Sequence, residues 1–196
     1  MKDDDLMDEN MKVEIENSLR VLRGGGVVIY PTDTIWGIGC DATSEEAVQR
    51  IYEMKRRSES KSLVILLSDW QMLSSHVSRI PPGVRDFIES AEKPTTVIYT
   101  DPVGLASNVI ASDNTVAIRL PNDEFCMRLI AEFGKPIVST SANYSGSPSP
   151  TCFDDISPEL LMKADYIVNL SRRKKQSSAS QIVKLDEKGQ IHYIRK

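Results

Sequence analysis

The chain has 196 residues, of which 40% are apolar and 27% are charged, and its formal net charge is −4. That length allows one ordinary domain, and the composition is that of a soluble globular protein rather than a disordered or fibrous one. Three widely separated cysteines and two histidines exclude a disulfide framework and a histidine-rich zinc site. The sequence also lacks a secretory signal and an apolar stretch of the ~18 residues that cross a membrane, so we expect a reduced, cytoplasmic protein.

The charge is distributed unevenly along the chain. Residues 1–10 hold five acids and one lysine, whereas residues 171–196 hold eight basic and two acidic residues. We expect residues 1–10 to be an acidic flexible N-terminal tail and residues 11–196 to be a single domain. The basic end could bind an anionic partner, although a solvated loop around Arg172–Lys175 explains the same charges equally well.

The first half of the chain alternates between helical and strand patterns. An amphipathic helix over 11–23 ends at Gly24–Gly26, and a buried strand follows at 27–30. Thr43 and Glu46 fit a capping box that opens a helix running to about Arg57. Further along, the pattern predicts a buried strand over 63–67 and helices near 69–77 and 81–91.

The second half continues with more strands and closes on a hairpin. Stretches rich in β-branched residues predict strands over 95–100 and 115–120, and a helix capped by Asn122 or Asp123 ends at Gly134. The remaining predicted elements are a strand over 136–142, a polar loop over 143–153, a short helix at Ser157-Pro158, a strand over 166–170 and a hairpin around Glu187–Gly189. We therefore predict an α/β fold with a twisted, open, mixed β-sheet and flanking helices.

Motifs of the common enzyme classes are missing from the sequence. It contains no G-x-x-x-x-G-K-[ST], G-x-G-x-x-G or G-x-S-x-G pattern. Five motifs at strand ends remain, of which the first is PTDTIWGIG over 31–39. Its two threonine hydroxyls can donate or accept hydrogen bonds, and Gly37 and Gly39 would let the backbone approach a ligand. A decorated turn explains this motif equally well.

The second and third motifs are cationic. Four cations lie at and beyond a predicted helix end, where they could complement the helix dipole or bind phosphate oxygens: Lys55, Arg56, Arg57 and Lys61. Arg119 occupies a predicted strand in TVAIRLP. A charged residue in such a strand needs a partner, which is either a protein carboxylate or a ligand.

The fourth motif consists of two consecutive stretches that are rich in small hydroxyl residues. STSANYSG over 139–146 and SPSPT over 147–151 follow the end of a strand, where α/β proteins usually bind ligands, although such sequences are also plain loops. The fifth motif is Ser180, which precedes the final hairpin, together with Arg195 in the last strand of that hairpin.

Taken together and in order, these five motifs resemble the YrdC-like threonylcarbamoyl-AMP synthases over about residues 11–196. The resemblance implies a YrdC-like fold with a positively lined concave cleft, in the short, single-domain form. It implies a nucleotidyltransferase that makes L-threonylcarbamoyladenylate and pyrophosphate from L-threonine, bicarbonate or CO2, and ATP. The product would serve threonylcarbamoyl modification of the adenosine next to the tRNA anticodon.

The resemblance also assigns roles to single residues and implies partners. The implied catalytic residues are Lys55, Arg57 and Arg119, and the implied threonine-binding residues are Thr34, Arg119, Ser139 and Ser180. The implied ATP-binding residues are Arg57, Lys61, Thr115, Ser141, Asn143, Ser149 and Arg195. No metal ligand from the protein and no organic cofactor are implied, and Mg²⁺ is expected to arrive with ATP. A downstream tRNA threonylcarbamoyl-transferase complex is an implied partner, and tRNA or double-stranded RNA is a further one.

The sequence departs from the family pattern at three places. Leu66 stands where some relatives have a histidine, and Glu92-Lys93-Pro94-Thr95-Thr96 replaces the usual P-G-P-x-T. Trp36 is the aromatic residue of the first motif, where tyrosine or phenylalanine is commoner. Two alternatives to the synthase remain: a non-catalytic module that binds double-stranded RNA or tRNA, and a carbamoyl-transferring relative that acts in metallocentre assembly. The hydroxyl set argues against the first, because an RNA backbone requires cations but not these hydroxyls. The lack of acylphosphatase and zinc-finger segments argues against the second.

Overall fold

A mixed β-sheet organises the part of the chain that the computed structural model describes, which is residues 3–57, 63–173, 179–186 and 188–196. In chain order, the helices and strands of these residues are α1 (Asp3–Arg23), β1 (Val28–Tyr30), β2 (Gly37–Gly39), α2 (Glu45–Lys55), β3 (Val64–Leu66), α3 (Trp70–His76), α4 (Val84–Ser90), β4 (Thr95–Thr100), β5 (Thr115–Arg119), α5 (Glu124–Phe133), β6 (Ile137–Ser141), α6 (Pro158–Leu161), β7 (Tyr166–Ile167), β8 (Gln181–Leu185) and β9 (Ile191–Arg195). Two short 3₁₀ turns lie at Ser107–Val109 and Phe153–Asp155.

The strands follow the order β7-β1-β2-β6-β3-β5-β4-β8-β9 across the sheet. The pairs β1–β7, β3–β5 and β4–β8 are parallel, and the pairs between the other neighbours are antiparallel. The predicted α/β fold with a mixed sheet is therefore confirmed. Sequence neighbours are often separated in the sheet, so residues from distant segments meet at the strand ends.

Side chains that alternate along the strands supply two apolar cores, one on each face of the sheet. In β1 and the residue before it, Val27 and Ile29 pack in the core beside α2, whereas Val28 and Tyr30 pack in the core beneath α1 and α5. This alternation is the geometry of a strand that is buried on both faces. The continuous apolar run VVIY is its sequence signature.

Local hydrogen bonds fix the helix ends and correct one predicted cap. Asp123 caps α5 by accepting from the Cys126 amide, and Gly134 ends that helix with φ at 71°, as the sequence pattern indicated. At α2 the cap is Ser44 rather than Thr43, because the Ser44 hydroxyl accepts from the Ala47 amide. The Thr43 hydroxyl instead donates to the Asp41 carboxylate.

Helix α1 begins at Asp3, so the predicted start of this helix at residue 11 is wrong. Asp8 forms an ion pair with Lys12 of the same helix and another with Arg128 of α5, and the second pair joins the early turns of α1 to α5. Two other boundaries also differ, since β7 covers only Tyr166–Ile167 and β2 was not predicted at all. Within the described residues, no helix is both long enough and apolar enough to cross a membrane.

Candidate functional site

A cavity of about 180 Å³ opens on one face of the sheet. On β3, β5, β6 and β8, the side chains of one face pack in the core beside α2, and side chains of the other face point toward the cavity. The cavity therefore lies on the face of the sheet that α1 and α5 partly cover. Eight residues to which the family resemblance assigns a role line it: Thr34, Arg57, Arg119, Ser139, Ser141, Ser149, Ser180 and Arg195. Lining residues that the sequence analysis did not single out include Ile35, Val64, Thr140 and Ile182.

Arg119 is held by a carboxylate that the sequence analysis did not identify. Its side chain is only 4% exposed, and its Nη1 donates to Oδ1 of Asp33. Asp33 Oδ2 also accepts from the backbone amide of Asn122 at 3.1 Å. The predicted need of Arg119 for a partner is therefore met by Asp33, 86 positions away in sequence. The signal available in the sequence was the acidic third residue of the PTDT motif.

A chain of hydroxyl hydrogen bonds continues from Arg119 into the 31–36 loop. Arg119 Nη2 lies 3.4 Å from Thr34 Oγ1, which in turn lies 2.9 Å from Thr32 Oγ1. Because the Thr32 hydroxyl donates to the carbonyl of Ile35, the proton between the two threonines comes from Thr34. The Thr34 hydroxyl is thus oriented by both neighbours, with an oxygen that faces the cavity.

The two glycines of the first motif serve different purposes. A Cβ on Gly39 would lie 2.4 Å from the carbonyl oxygen of Val138 and 2.7 Å from the Tyr30 ring, so Gly39 permits close packing of β1, β2 and β6. The interpretation that Gly39 lets the backbone approach a ligand is therefore wrong. Gly37 does line the cavity, where a Cβ would lie 3.1 Å from Ser139 Oγ.

The C-terminal hairpin closes the cavity from the opposite side. Ser180 Oγ lies 2.8 Å from Thr96 Oγ1 on β4, and Arg195 donates from Nε and Nη2 to the Ser180 carbonyl at 3.1 and 2.7 Å. The pairing of β8 with β9 shifts register between Ile182 and Val183, which leaves Ile194 as an extra residue. This bulge places Arg195 opposite Ile182, on the cavity face.

Arg57 reaches the cavity from the end of α2. Arg56 takes the left-handed conformation that ends this helix, with φ at 49°, and Arg57 follows it with its amide bonded to the Tyr52 carbonyl at 2.9 Å. Burial lowers the pKa of the Arg57 guanidinium, and burial also lowers that of Arg195. Both remain cations near neutral pH, because arginine is not deprotonated in proteins. Together with Arg119, these two residues bring three guanidinium groups to one cavity.

Lys55, predicted to be catalytic, does not line this cavity. Its side chain is buried, with the whole residue 1% exposed, and its ammonium donates to the backbone carbonyls of Ser141 and Asn143, the latter at 2.7 Å. Burial first, and then the charge of Arg57, lowers the pKa of Lys55 from 10.5 to about 7. The ammonium lies beneath the loop that follows β6.

Three residues with predicted ATP contacts lie outside the cavity or outside the described chain. The side chain of Asn143 donates to the Ser147 carbonyl at 2.6 Å and lines a neighbouring loop pocket that shares Ser149 with the cavity. Thr115 lies at the far end of β5 from Arg119 and donates to Asp113 at 2.7 Å. Lys61 falls outside the residues that the structure describes, as does part of the basic 171–175 segment. Their roles stay predictions.

The departure at Leu66 affects packing rather than the cavity lining. Leu66 is fully buried in the core beneath α1 and α5, beside residues such as Phe125 and Ile137. The departure before β4 keeps a closed turn, because Thr95 Oγ1 donates to the Lys93 carbonyl at 2.8 Å.

Comparisons with known proteins place this chain in a family. A family model named Sua5_yciO_yrdC, described as "Telomere recombination", matches residues 20–196. The chain belongs to this family. A protein from Hahella chejuensis named threonylcarbamoyl-AMP synthase is 37% identical over 142 residues, which are 71% of this chain and 77% of that protein. A protein of the same name from Xanthomonas oryzae pv. oryzae is 32% identical over 158 residues, covering 79% of this chain and 84% of that protein.

A solved relative of the Sua5_yciO_yrdC family gives the structural match. The crystal structure of P. abyssi Sua5 complexed with L-threonine superposes with a TM-score of 0.78 and 27% identity, covering 87% of this chain and 50% of that one. This chain therefore spans about half the length of the P. abyssi protein. The resemblance of the five motifs to the YrdC-like family is confirmed, and the roles of the individual cavity residues are treated below as proposals.

Proposed function

We propose that this protein is a threonylcarbamoyl-AMP synthase, which joins L-threonine, bicarbonate or CO2, and ATP into L-threonylcarbamoyladenylate and releases pyrophosphate. The observation that carries the proposal is the lining of one cavity by three guanidinium groups, from Arg57, Arg119 and Arg195, together with a ring of small hydroxyls. The shared name of the curated relatives and the threonine complex of P. abyssi Sua5 support it.

The charges of the cavity suit three anionic substrates. ATP, bicarbonate and the threonine carboxylate all carry negative charge, and guanidinium groups bind carboxylate and phosphate oxygens in a bidentate manner. Asp33 fixes the position of the Arg119 guanidinium, whose Nη2 lies beside the oriented Thr34 hydroxyl, and we propose that these two groups hold the threonine carboxylate. Arg57 and Arg195 also line the cavity, and we place the phosphates beside them.

The chemistry then depends on positioning more than on a proton-transferring side chain. The threonine amine and bicarbonate form a carbamate with loss of water, and a carbamate oxygen attacks the α-phosphorus while the bond to pyrophosphate breaks. Such transfers are accelerated by alignment of the reacting groups and by stabilisation of the developing charge. Arg57 and Arg195 would stabilise charge on the phosphates, and Ser139, Ser141 and Ser180 would orient the threonyl group and the nucleotide.

Magnesium fits this cavity only as a partner of the nucleotide. In the described residues no group of three histidine, cysteine, aspartate or glutamate side chains could hold a metal ion, and the lining offers hydroxyl oxygens. We propose that Mg²⁺ arrives on the ATP phosphates and retains its water ligands, as this ion commonly does. When bound, it neutralises phosphate charge.

The wider setting is also part of the proposal. We place residues 11–196 in one functional domain and the protein in the cytoplasm, where its adenylate would pass to a downstream tRNA threonylcarbamoyl-transferase complex. Direct contact with tRNA or double-stranded RNA remains a further proposal, which the basic C-terminal stretch motivates. A non-catalytic RNA-binding module is disfavoured as the main function by the names of the curated relatives.

The decisive experiment is pyrophosphate release by the purified protein. We expect release that requires ATP, L-threonine and bicarbonate together, with a product of the mass of threonylcarbamoyladenylate. ATP hydrolysis that is indifferent to threonine would contradict the proposal.

A matched pair of neighbouring arginines tests the site assignment in the same assay. Arg57→Ala should raise the KM for ATP by about tenfold or more, because a hydrogen bond to a charged group contributes ~1.5–3 kcal/mol. Arg56→Ala is the control, since Arg56 is exposed and lies 4.8 Å from the Tyr144 ring, away from the cavity lining. Equal effects of the two substitutions would refute the placement of the phosphates.

A further inference from the structure

The loop that follows β6 is attached to the end of α2 through one residue. Lys55 Nζ donates to the Ser141 carbonyl and, at 2.7 Å, to the Asn143 carbonyl, and the Lys55 carbonyl accepts from the Ser145 amide at 3.0 Å. Three contacts therefore join a single helix-terminal residue to residues 141–145. Side chains of this loop and its continuation, Ser141 and Ser149, line the cavity.

The burial of Lys55 requires an explanation. Removing an ammonium from water costs several kcal/mol unless the charge is paired or fully hydrogen-bonded. Within the described chain no carboxylate forms an ion pair with Lys55, and its partners are two neutral carbonyls. An unpaired ammonium is kept buried here, 1% exposed, at a point that joins two segments of the cavity wall.

We propose that Lys55 is a positioning residue, whose ammonium holds the 141–145 segment at a fixed distance from Arg57. This assignment rests on the proposed function and replaces the predicted catalytic role, because a nitrogen that is buried on two carbonyls faces the loop rather than the cavity. The lowered pKa of Lys55 is consistent with the desolvation that such a position imposes. Arg57, two residues later, and Ser141 both line the cavity, and Lys55 would set the spacing between the two segments that carry them.

Lys55→Met tests the proposal, because methionine keeps an unbranched chain but provides no donor. Hydrogen exchange reports on the loop directly, through the amides of Asn143, Ser145 and Ser147, which are all hydrogen-bonded within this region. We expect their exchange to accelerate at least about tenfold and the KM for ATP to rise by a similar factor, as for loss of a charge-assisted hydrogen bond. The kcat at saturation should change less than KM.

Two further variants make the test specific. Lys55→Arg keeps the charge and the donors and should restore most of the loop protection and the KM. Lys163→Met is the matched control, because Lys163 is exposed beside the same loop, 5.6 Å from the Tyr144 ring, and should leave both readouts at wild-type values. If Lys55→Met fails to fold, Lys55→Gln, which keeps a neutral N–H donor, should show the same changes at smaller size.

The outcomes separate the proposal from its rivals. A large loss of kcat with unchanged exchange of the loop amides would show that Lys55 contacts the reacting groups and would overturn the positioning role. Unchanged exchange and unchanged kinetics would overturn it as well. If the wild-type protein shows no threonine-dependent activity, the proposed function fails, whereas the exchange experiment still tests the hold of Lys55 on the loop.

Discussion

The buried ammonium of Lys55 should leave a signature in the stability of the whole protein. In the unfolded chain this lysine has an ordinary pKa of 10.5, and burial lowers the pKa to about 7 in the folded protein. Between these two values the unfolded state binds more protons than the folded state. The free energy of unfolding must therefore rise with pH across this interval.

The size of the effect follows from the same two values. One pKa unit corresponds to about 1.4 kcal/mol, so the full destabilisation by the charged form is about 5 kcal/mol at a pH below 7. It declines as the pH approaches 10.5. Between about pH 6.5 and 8.5, roughly 2 kcal/mol of that cost should be relieved. Lys55→Met removes the titrating group and should therefore remove this part of the dependence of the free energy of unfolding on pH.

Urea unfolding at pH 6.5, 7.5 and 8.5 measures the difference. We expect the wild-type protein to gain ~2 kcal/mol more than Lys55→Met over this range, which corresponds to a clear shift of the unfolding midpoint. Lys163→Met, which alters an exposed lysine, should keep the wild-type slope. Parallel curves for the wild type and Lys55→Met would refute the reasoning, because they would mean that the ammonium is not desolvated.

Three other substitutions test the cavity and the packing of the strands beside it. Thr34→Val should weaken threonine capture by ~0.5–1.5 kcal/mol in kcat/KM, since it deletes one neutral hydroxyl, and Thr34→Ser should restore it. The same kcat/KM for threonine in both variants would show that the Thr34 hydroxyl does not contact threonine. Arg195→Gln should raise the KM for ATP less than Arg57→Ala does, because Arg195 is more exposed, and an equal rise measured in the same titration would contradict that ranking. Gly39→Ala should lower the free energy of unfolding by ~1–3 kcal/mol in urea titrations, since its Cβ would lie 2.4 Å from the Val138 carbonyl; wild-type stability would show that the backbone can yield there.

The sequence predicted helices well wherever the end signals were local. The bounds of α5 follow from Asp123, whose side chain caps the helix, and from Gly134, which adopts a positive φ at its end. Strand β2 escaped prediction because Gly-Ile-Gly has little intrinsic strand preference. Its extended form comes from pairing with β1 and β6, and β6 lies about a hundred residues away. The start of α1 escaped because acidic composition indicated a tail, whereas Asp8 finds a partner on α5.

The cavity also shows which features the sequence could predict and which it could not. The motifs identified which hydroxyls and guanidinium groups matter, because those residue types bind anions wherever they occur, and eight of them line one cavity. The sequence could not show that Arg119 meets Asp33 or that Lys55 turns to the carbonyls of a loop, since both depend on contacts between segments that are 86 or more positions apart. It also could not show that a bulge at Ile194 brings Arg195 to the cavity face, because strand alternation read from the sequence assumes an unbroken ladder. The chemistry of each residue type is local and was readable from the sequence. The partner that a side chain contacts, the direction in which it points and the face of the sheet on which it lies are properties of the assembled sheet, and only the tertiary structure decided them.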